Sequence, residues 1–195
     1  MRPLKLLVAF GAIAMSHAAH ADDKGPVRVT FETEKGNIEV ELYPDKAPVT
    51  VANFLKYVDS KMYDDGRVYR AVTADNQPKS QVKIAVIQGK SNPGREKDLD
   101  GPIKLERTRD TKLTHKDGTI SMARDGPDTA QDEFFICIGP QPELDFGGKR
   151  NADGQGFAAF GQVVKGMDVV KKIHESSTEG QFLKPAIKIT RTIRK

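Results

Sequence analysis

From Val27 onward, apolar and polar residues alternate along the chain. Val27, Val29 and Phe31 share one parity, Glu34-Lys35-Gly36-Asn37 carries turn chemistry, and Ile38, Val40 and Leu42 resume the alternation. A period of two marks a strand with one buried face, so this stretch predicts a hairpin. Pro44 and Pro48 break the pattern, and behind Pro48 the apolar residues Val51, Phe54, Leu55, Val58 and Met62 fall at helical spacing. They predict a helix of about three turns whose apolar face lies on the core.

Residues 68–72 alternate again as a short strand, and residues 84–89 form an apolar strand ending in Gln88-Gly89. The polar stretch 73–83 between them reads as a surface loop. Residues 119–123 and 134–138 are short apolar runs bounded by Gly118 and by Gly139-Pro140, as buried strands are. Arg124-Asp125-Gly126-Pro127-Asp128 supplies a turn between them. A glycine-rich polar loop, 146–156, leads into strand character at 157–164. Val169, Val170 and Ile173 predict a second helix over 166–175, and Ile187, Ile189 and Ile193 a closing strand over 186–193. Residues 91–118 read as connecting loops, with one short strand around 103–105. Many short strands with two helices, no internal repeat and no linker point to one mainly β domain, a closed antiparallel barrel.

The first 21 residues change the picture of where the chain works. Arg2 and Lys5 precede an apolar run over 6–15 and small residues ending in Ala19-His20-Ala21. That is the layout of a secretory signal peptide cut before Asp22, and the run is too short to span a bilayer. The expectation is a domain over 22–195 exported to a periplasm, with no membrane span in the mature protein. Without the leader, 29 basic residues face 27 acidic ones. Acidic residues are spread throughout and no basic cluster is interleaved with aromatics, which excludes a nucleic-acid partner.

Candidate chemistry is sparse. Cys137 is the only cysteine, so no internal disulfide forms, and its place inside F-F-I-C-I reads as a buried small apolar group. Behind the leader only His115 and His174 remain, which leaves little material for a metal cluster or a histidine-based triad. Gly89-Lys90-Ser91 lacks the first glycine of a phosphate-binding loop, since Ile84 stands there. Gly154 to Ala159 fits a dinucleotide fingerprint in letters only, because it follows a polar loop and enters a strand. No G-x-S-x-G elbow occurs.

Two stretches are similar to a known family. The run from Ser121, S-M-A-R-D-G-P-D-T-A-Q-D-E-F-F-I-C-I-G-P-Q-P-E-L-D, resembles the signature of the cyclophilin-type peptidyl-prolyl isomerases. G-N-I-E-V-E-L-Y-P-D-K-A-P-V-T-V-A-N-F resembles that family's opening, in which a hairpin feeds a capping helix. The likeness extends over nearly all of residues 27–193 and implies a closed eight-stranded antiparallel barrel capped by two helices.

The resemblance also implies an activity and a site. Arg70, which alone would read as a surface arginine on an edge strand, becomes the catalytic group, directed at the prolyl amide. Gln88 holds the substrate backbone, and Phe135 floors the pocket for the proline ring. Leu144 and Phe157 line the cleft, Ala123 with the backbone of Arg124 borders the bound peptide, and Val86 and Glu133 complete the substrate contacts. No metal or cofactor is needed, and the partner is a proline-containing polypeptide met by a monomer. Departures from the family pattern concern efficiency and preference. Ala85 and Val86 stand where an aromatic and a methionine are usual, implying a shallower or wider pocket, and Glu133 replaces a glutamine. Glu143 replaces a tryptophan and Arg124 an asparagine, which resembles bacterial members and implies weak cyclosporin binding. The stretch 73–83 makes the link between its flanking strands longer than the family's and is expected at the cleft rim. A different class stays open: a binding module or chaperone of the same fold, holding proline-containing chains without speeding their rotation. A third reading is a purely structural barrel used as an interaction domain.

Overall fold

A computed structural model describes residues 25–94, 99 and 101–195, so the leader expected over 1–21 lies outside the described residues. The first hairpin forms as its pattern requires: β1 (Val27–Thr33) pairs antiparallel with β2 (Gly36–Leu42) across a turn at Glu34 and Lys35. The later strands are β3 (Gly66–Val72), β4 (Val86–Lys90), β5 (Thr119–Met122), β6 (Phe134–Cys137), β7 (Ala158–Lys165), β8 (Thr178–Glu179) and β9 (Phe182–Arg194). Their order is β1-β2-β7-β5-β6-β4-β3-β9, and β9 pairs back onto β1, closing an eight-stranded antiparallel barrel. The two residues of β8 pair only with the start of β9, outside the closed ring.

Two helices lie where the periodicity placed them, α1 (Pro48–Asp59) and α3 (Met167–His174). The single turn α2 (Thr108–Thr111) is additional, in a segment that reads as loop. Of the short strand expected around 103–105, only an isolated bridge from Ile103 to Ala130 is present. The same segment stabilises α1. Ala47 offers no side-chain cap, and the free N–H groups of the first turn are met from a distance. The Glu106 carboxylate accepts hydrogen bonds from Val49 N at 3.1 Å, Thr50 N at 2.8 Å and the Thr50 hydroxyl at 2.6 Å. A carboxylate there also meets the positive end of the helix dipole.

The barrel interior is filled by a ring cluster. Phe31 stacks on Phe134 at 4.9 Å, Phe54 packs on Phe160 at 5.1 Å, and Tyr63 meets Phe134 edge-on at 5.6 Å. Gly89 on β4 is required by this packing, since a Cβ there would sit 2.7 Å from Phe134 Cζ. Strand alternation then sends neighbouring residues of β6 to different places. Phe134 and Ile136 join the interior cluster, while Phe135 and Cys137 join a second, smaller one with Val72, Val86 and Leu144.

Candidate active site

Arg70, Gln88 and Phe135 stand side by side on adjacent strands: Arg70 of β3 pairs with Gln88 of β4, and Gln88 with Phe135 of β6. Residues in such a row share one face of the sheet. This face looks into a cleft of about 650 Å³. Strict alternation would put Tyr69 and Arg70 on opposite faces. The register of β3 shifts between Val68 and Arg70 against both β4 and β9, a bulge that lets both side chains line the cleft.

The Arg70 guanidinium is anchored by two neutral amides. Its Nη1 donates to Gln88 Oε1 at 2.7 Å, and its Nε and Nη2 donate to Gln181 Oε1 at 3.0 and 2.5 Å. Gln88 in turn donates from Nε2 to Glu133 Oε2 at 2.6 Å, which fixes its amide with the oxygen toward Arg70. The Tyr69 hydroxyl donates to the same Glu133 oxygen at 2.7 Å. Burial, followed by that contact with the carboxylate, pushes the Tyr69 hydroxyl well above its ordinary pKa.

All nine residues singled out from the sequence line this one cleft: Arg70, Val86, Gln88, Ala123, Arg124, Glu133, Phe135, Leu144 and Phe157. Three of them carry hydrogen bonds that the sequence did not announce. Gln88 spends one lone pair and one N–H within the protein, leaving one of each for a peptide. Glu133, expected among the substrate contacts, accepts hydrogen bonds from Gln88 and Tyr69 at the cleft. Arg124 acts through its side chain as a latch. Only 1% exposed, it donates to Gly156 O at 2.8 and 2.6 Å and makes a two-pronged pair with Asp153 at 2.7 and 3.0 Å. Its guanidinium lies 5.0 Å from the Phe157 ring centre, and its hydrogen bonds hold the Asp153 carboxyl below the usual carboxylate range.

The apolar floor is better supported than the sequence indicated. Phe135 meets Phe157 edge-on at 5.3 Å and stacks on the His115 ring at 5.8 Å. His115 Nδ1 lies 2.7 Å from Asp145 Oδ1, and its Nε2 lies 3.0 Å from the Ser121 hydroxyl. Ser121, His115 and Asp145 thus form a hydrogen-bonded set that their sequence positions did not announce. Ser121 is 0% exposed, so this set meets no substrate and serves as the backing of Phe135. Cys137 is buried beside it as expected, its thiol pKa pushed up by burial. Ala85 does not line the cleft; Ile84 and Val86 do, on the same parity as Gln88.

Residues 73–83 lie at the rim and are tied down there. Gln77, 3% exposed, donates to Thr73 O at 2.6 Å and Ile84 O at 2.8 Å. Arg150, another residue of the cleft, donates from Nη1 to Gln77 Oε1, Ser80 Oγ and Val82 O at 2.9, 2.7 and 2.7 Å. Burial, then the charge of Arg70, lowers the pKa of Arg150. Sequence reasoning missed Tyr69, Ile84, Arg150 and Gln181. The bulge hides the first, and the last comes from a turn more than a hundred residues away. Among the described residues no group of three or more His, Cys, Asp or Glu is placed to hold a metal ion, and no helix is long and apolar enough to cross a membrane.

Residues 28–194 match the family model described as cyclophilin type peptidyl-prolyl cis-trans isomerase/CLD. A peptidyl-prolyl cis-trans isomerase of Acinetobacter baylyi is 34% identical over 87% of this chain and 81% of its own length. Peptidyl-prolyl cis-trans isomerase B of Escherichia coli is 37% identical over 77% of this chain and 85% of its own. The crystal structure of a Cryptosporidium parvum cyclophilin type peptidyl-prolyl cis-trans isomerase shares the fold. It has a TM-score of 0.71 and 20% identity, with 87% of this chain and 98% of that one covered. With the barrel, the cleft and these relatives in agreement, the chain belongs to the cyclophilin-type peptidyl-prolyl cis-trans isomerases.

Proposed function

We propose that this isomerase acts on X-Pro bonds of exported polypeptides that are folding or flexible, with Arg70 as the group that acts on the reacting amide. Conjugation gives the peptide bond its rotational barrier of about 18–20 kcal/mol, and twisting the bond returns a lone pair to the prolyl nitrogen. A donor that meets this lone pair stabilises the twisted state more than the planar one, which is the condition for a faster rate. The observation that carries the reading is Arg70 itself. It is a permanently charged fork, anchored through neutral oxygens and set beside an apolar floor at Phe135. Val86, Leu144, Phe135 and Phe157 give the proline ring an apolar seat. Ala123 and the remaining bonds of Gln88 serve the flanking backbone. This step moves no proton off the enzyme and needs no cofactor.

The leader-like residues 1–21 support export to a periplasm, and a single closed barrel carrying the whole cleft suits a monomer. Expression of the full chain in a Gram-negative host, with fractionation and N-terminal sequencing, tests export. A periplasmic product beginning at Asp22 is expected, and a cytoplasmic product with an intact N-terminus would contradict it.

Exchange NMR on a short Ala-Pro peptide tests the mechanism. The wild type should accelerate interconversion, and Arg70→Lys, which keeps the charge without the fork, should lower kcat/KM by roughly 10–100-fold while peptide still binds. Binding by the wild type without acceleration would instead leave a peptide-holding module.

A further inference from the structure

We propose that Gln181 is a positioning residue for Arg70, and that the rim segment 73–83 holds Gln181 in the orientation this requires. The inference rests on the reading of Arg70 as the group acting on the amide. Gln181 sits in the turn between β8 and β9, behind Gly180, whose φ of +60° is a conformation that favours glycine. Its main chain is pinned to β3, since Ala71 N donates to Gln181 O at 3.0 Å. Its side-chain oxygen takes the Nε and Nη2 edge of Arg70, while Gln88 takes Nη1. A guanidinium carries five N–H donors, so one N–H on each Nη remains for a substrate. Two anchors on different atoms of the planar group fix both its place and its tilt.

An amide can present either its oxygen or its nitrogen, and only the oxygen serves here. Gln181 Nε2 donates to Asn76 O at 3.1 Å, so the rim segment decides the orientation. Asn76 is itself fixed, donating from Nδ2 to Ala71 O at 2.9 Å and accepting from Thr73 N at 2.9 Å. Gln88 is set in the same way by Glu133 on the other side. Both oxygens facing Arg70 are neutral, and among the described residues no carboxylate pairs with it. An amide holds the guanidinium in place while leaving its charge available to the twisted bond; a carboxylate would hold it and compensate it.

The test uses the mature protein with Gln181→Met, which keeps the shape without the acceptor, and Gln181→Glu, which keeps an acceptor and adds charge. The readouts are kcat and KM on an Ala-Pro peptide, the urea midpoint, and the Arg70 Nε–H resonance. Gln181→Met should keep its midpoint and KM, lose kcat by about tenfold and broaden the Nε–H signal. Gln181→Glu should keep the signal and still lose kcat severalfold, because its carboxylate compensates the charge. Wild-type kcat in a folded Gln181→Met protein overturns the assignment of Gln181. Wild-type kcat in Gln181→Glu overturns the requirement for a neutral acceptor. Arg70→Ala, measured alongside, separates these from the underlying reading: full activity without the guanidinium would sink that reading itself.

Discussion

Phe134 and Phe135 are consecutive, chemically identical and both buried, yet they belong to different parts of the molecule. Phe134 lies inside the barrel, against Phe31, Phe54 and Tyr63. Phe135 lies outside it, backed by His115 and edge-on to Phe157, at the floor of the cleft. The inner cluster is large and apolar, with Met62 and Met122 among its aromatic and aliphatic residues, whereas the outer one is five buried residues bordered by Arg70, Gln88, Arg124 and Glu133. The two-residue period of a strand sends one side chain of β6 into the interior cluster and the next to the cleft.

The inner face should give the largest effect. Phe134→Ala empties the centre of the ring cluster and should lose about 3–5 kcal/mol of stability, read as a lower urea midpoint. On the outer face, Arg70→Ala should lower kcat/KM by roughly 100-fold, about 2.7 kcal/mol of transition-state stabilisation, with a stability change under about 1 kcal/mol. Gly89→Ala probes the boundary, because Gly89 pairs with Phe134 and directly follows Gln88. The added methyl group would press on the Phe134 ring, costing about 1–3 kcal/mol of stability.

The smallest effect concerns pH. Asp153 is held below its ordinary pKa chiefly by the hydrogen bonds from Arg124. A depressed carboxylate contributes stability above its unfolded pKa, near 3.9 by the usual reference, and loses it as pH falls through the lower folded value. The difference in Tm between wild type and Asp153→Asn should therefore be constant near neutrality and close below the carboxylate range. A gap that widens on acidification would contradict the latch.

The division between faces was partly legible in the letters. Alternation at Val27 to Leu42 and helical spacing at Val51 to Val58 gave the first hairpin and α1, because those patterns are local. The family likeness brought nine side chains from six stretches of chain to one cleft, and that grouping is present. Contacts that depend on distant partners were not legible. Glu106 caps a helix from 56 residues away, Gln181 reaches Arg70 across 111, and no local pattern announces either. Tyr69 was hidden by a bulge, which breaks the parity that strand reading depends on. His115 looked isolated because Ser121 and Asp145 join it only when β5 and the turn after β6 meet.

The most direct test of the division is a paired measurement on Phe134→Leu and Phe135→Leu, taking the urea midpoint and the catalysed cis-to-trans rate from the same preparations. Phe134→Leu should lose stability and, while folded, keep its catalysed rate; Phe135→Leu should keep its stability to within about 1 kcal/mol and lose about tenfold in kcat/KM. If both variants lose stability and rate in the same proportion, the two faces of β6 are not separate in function, and the account is wrong.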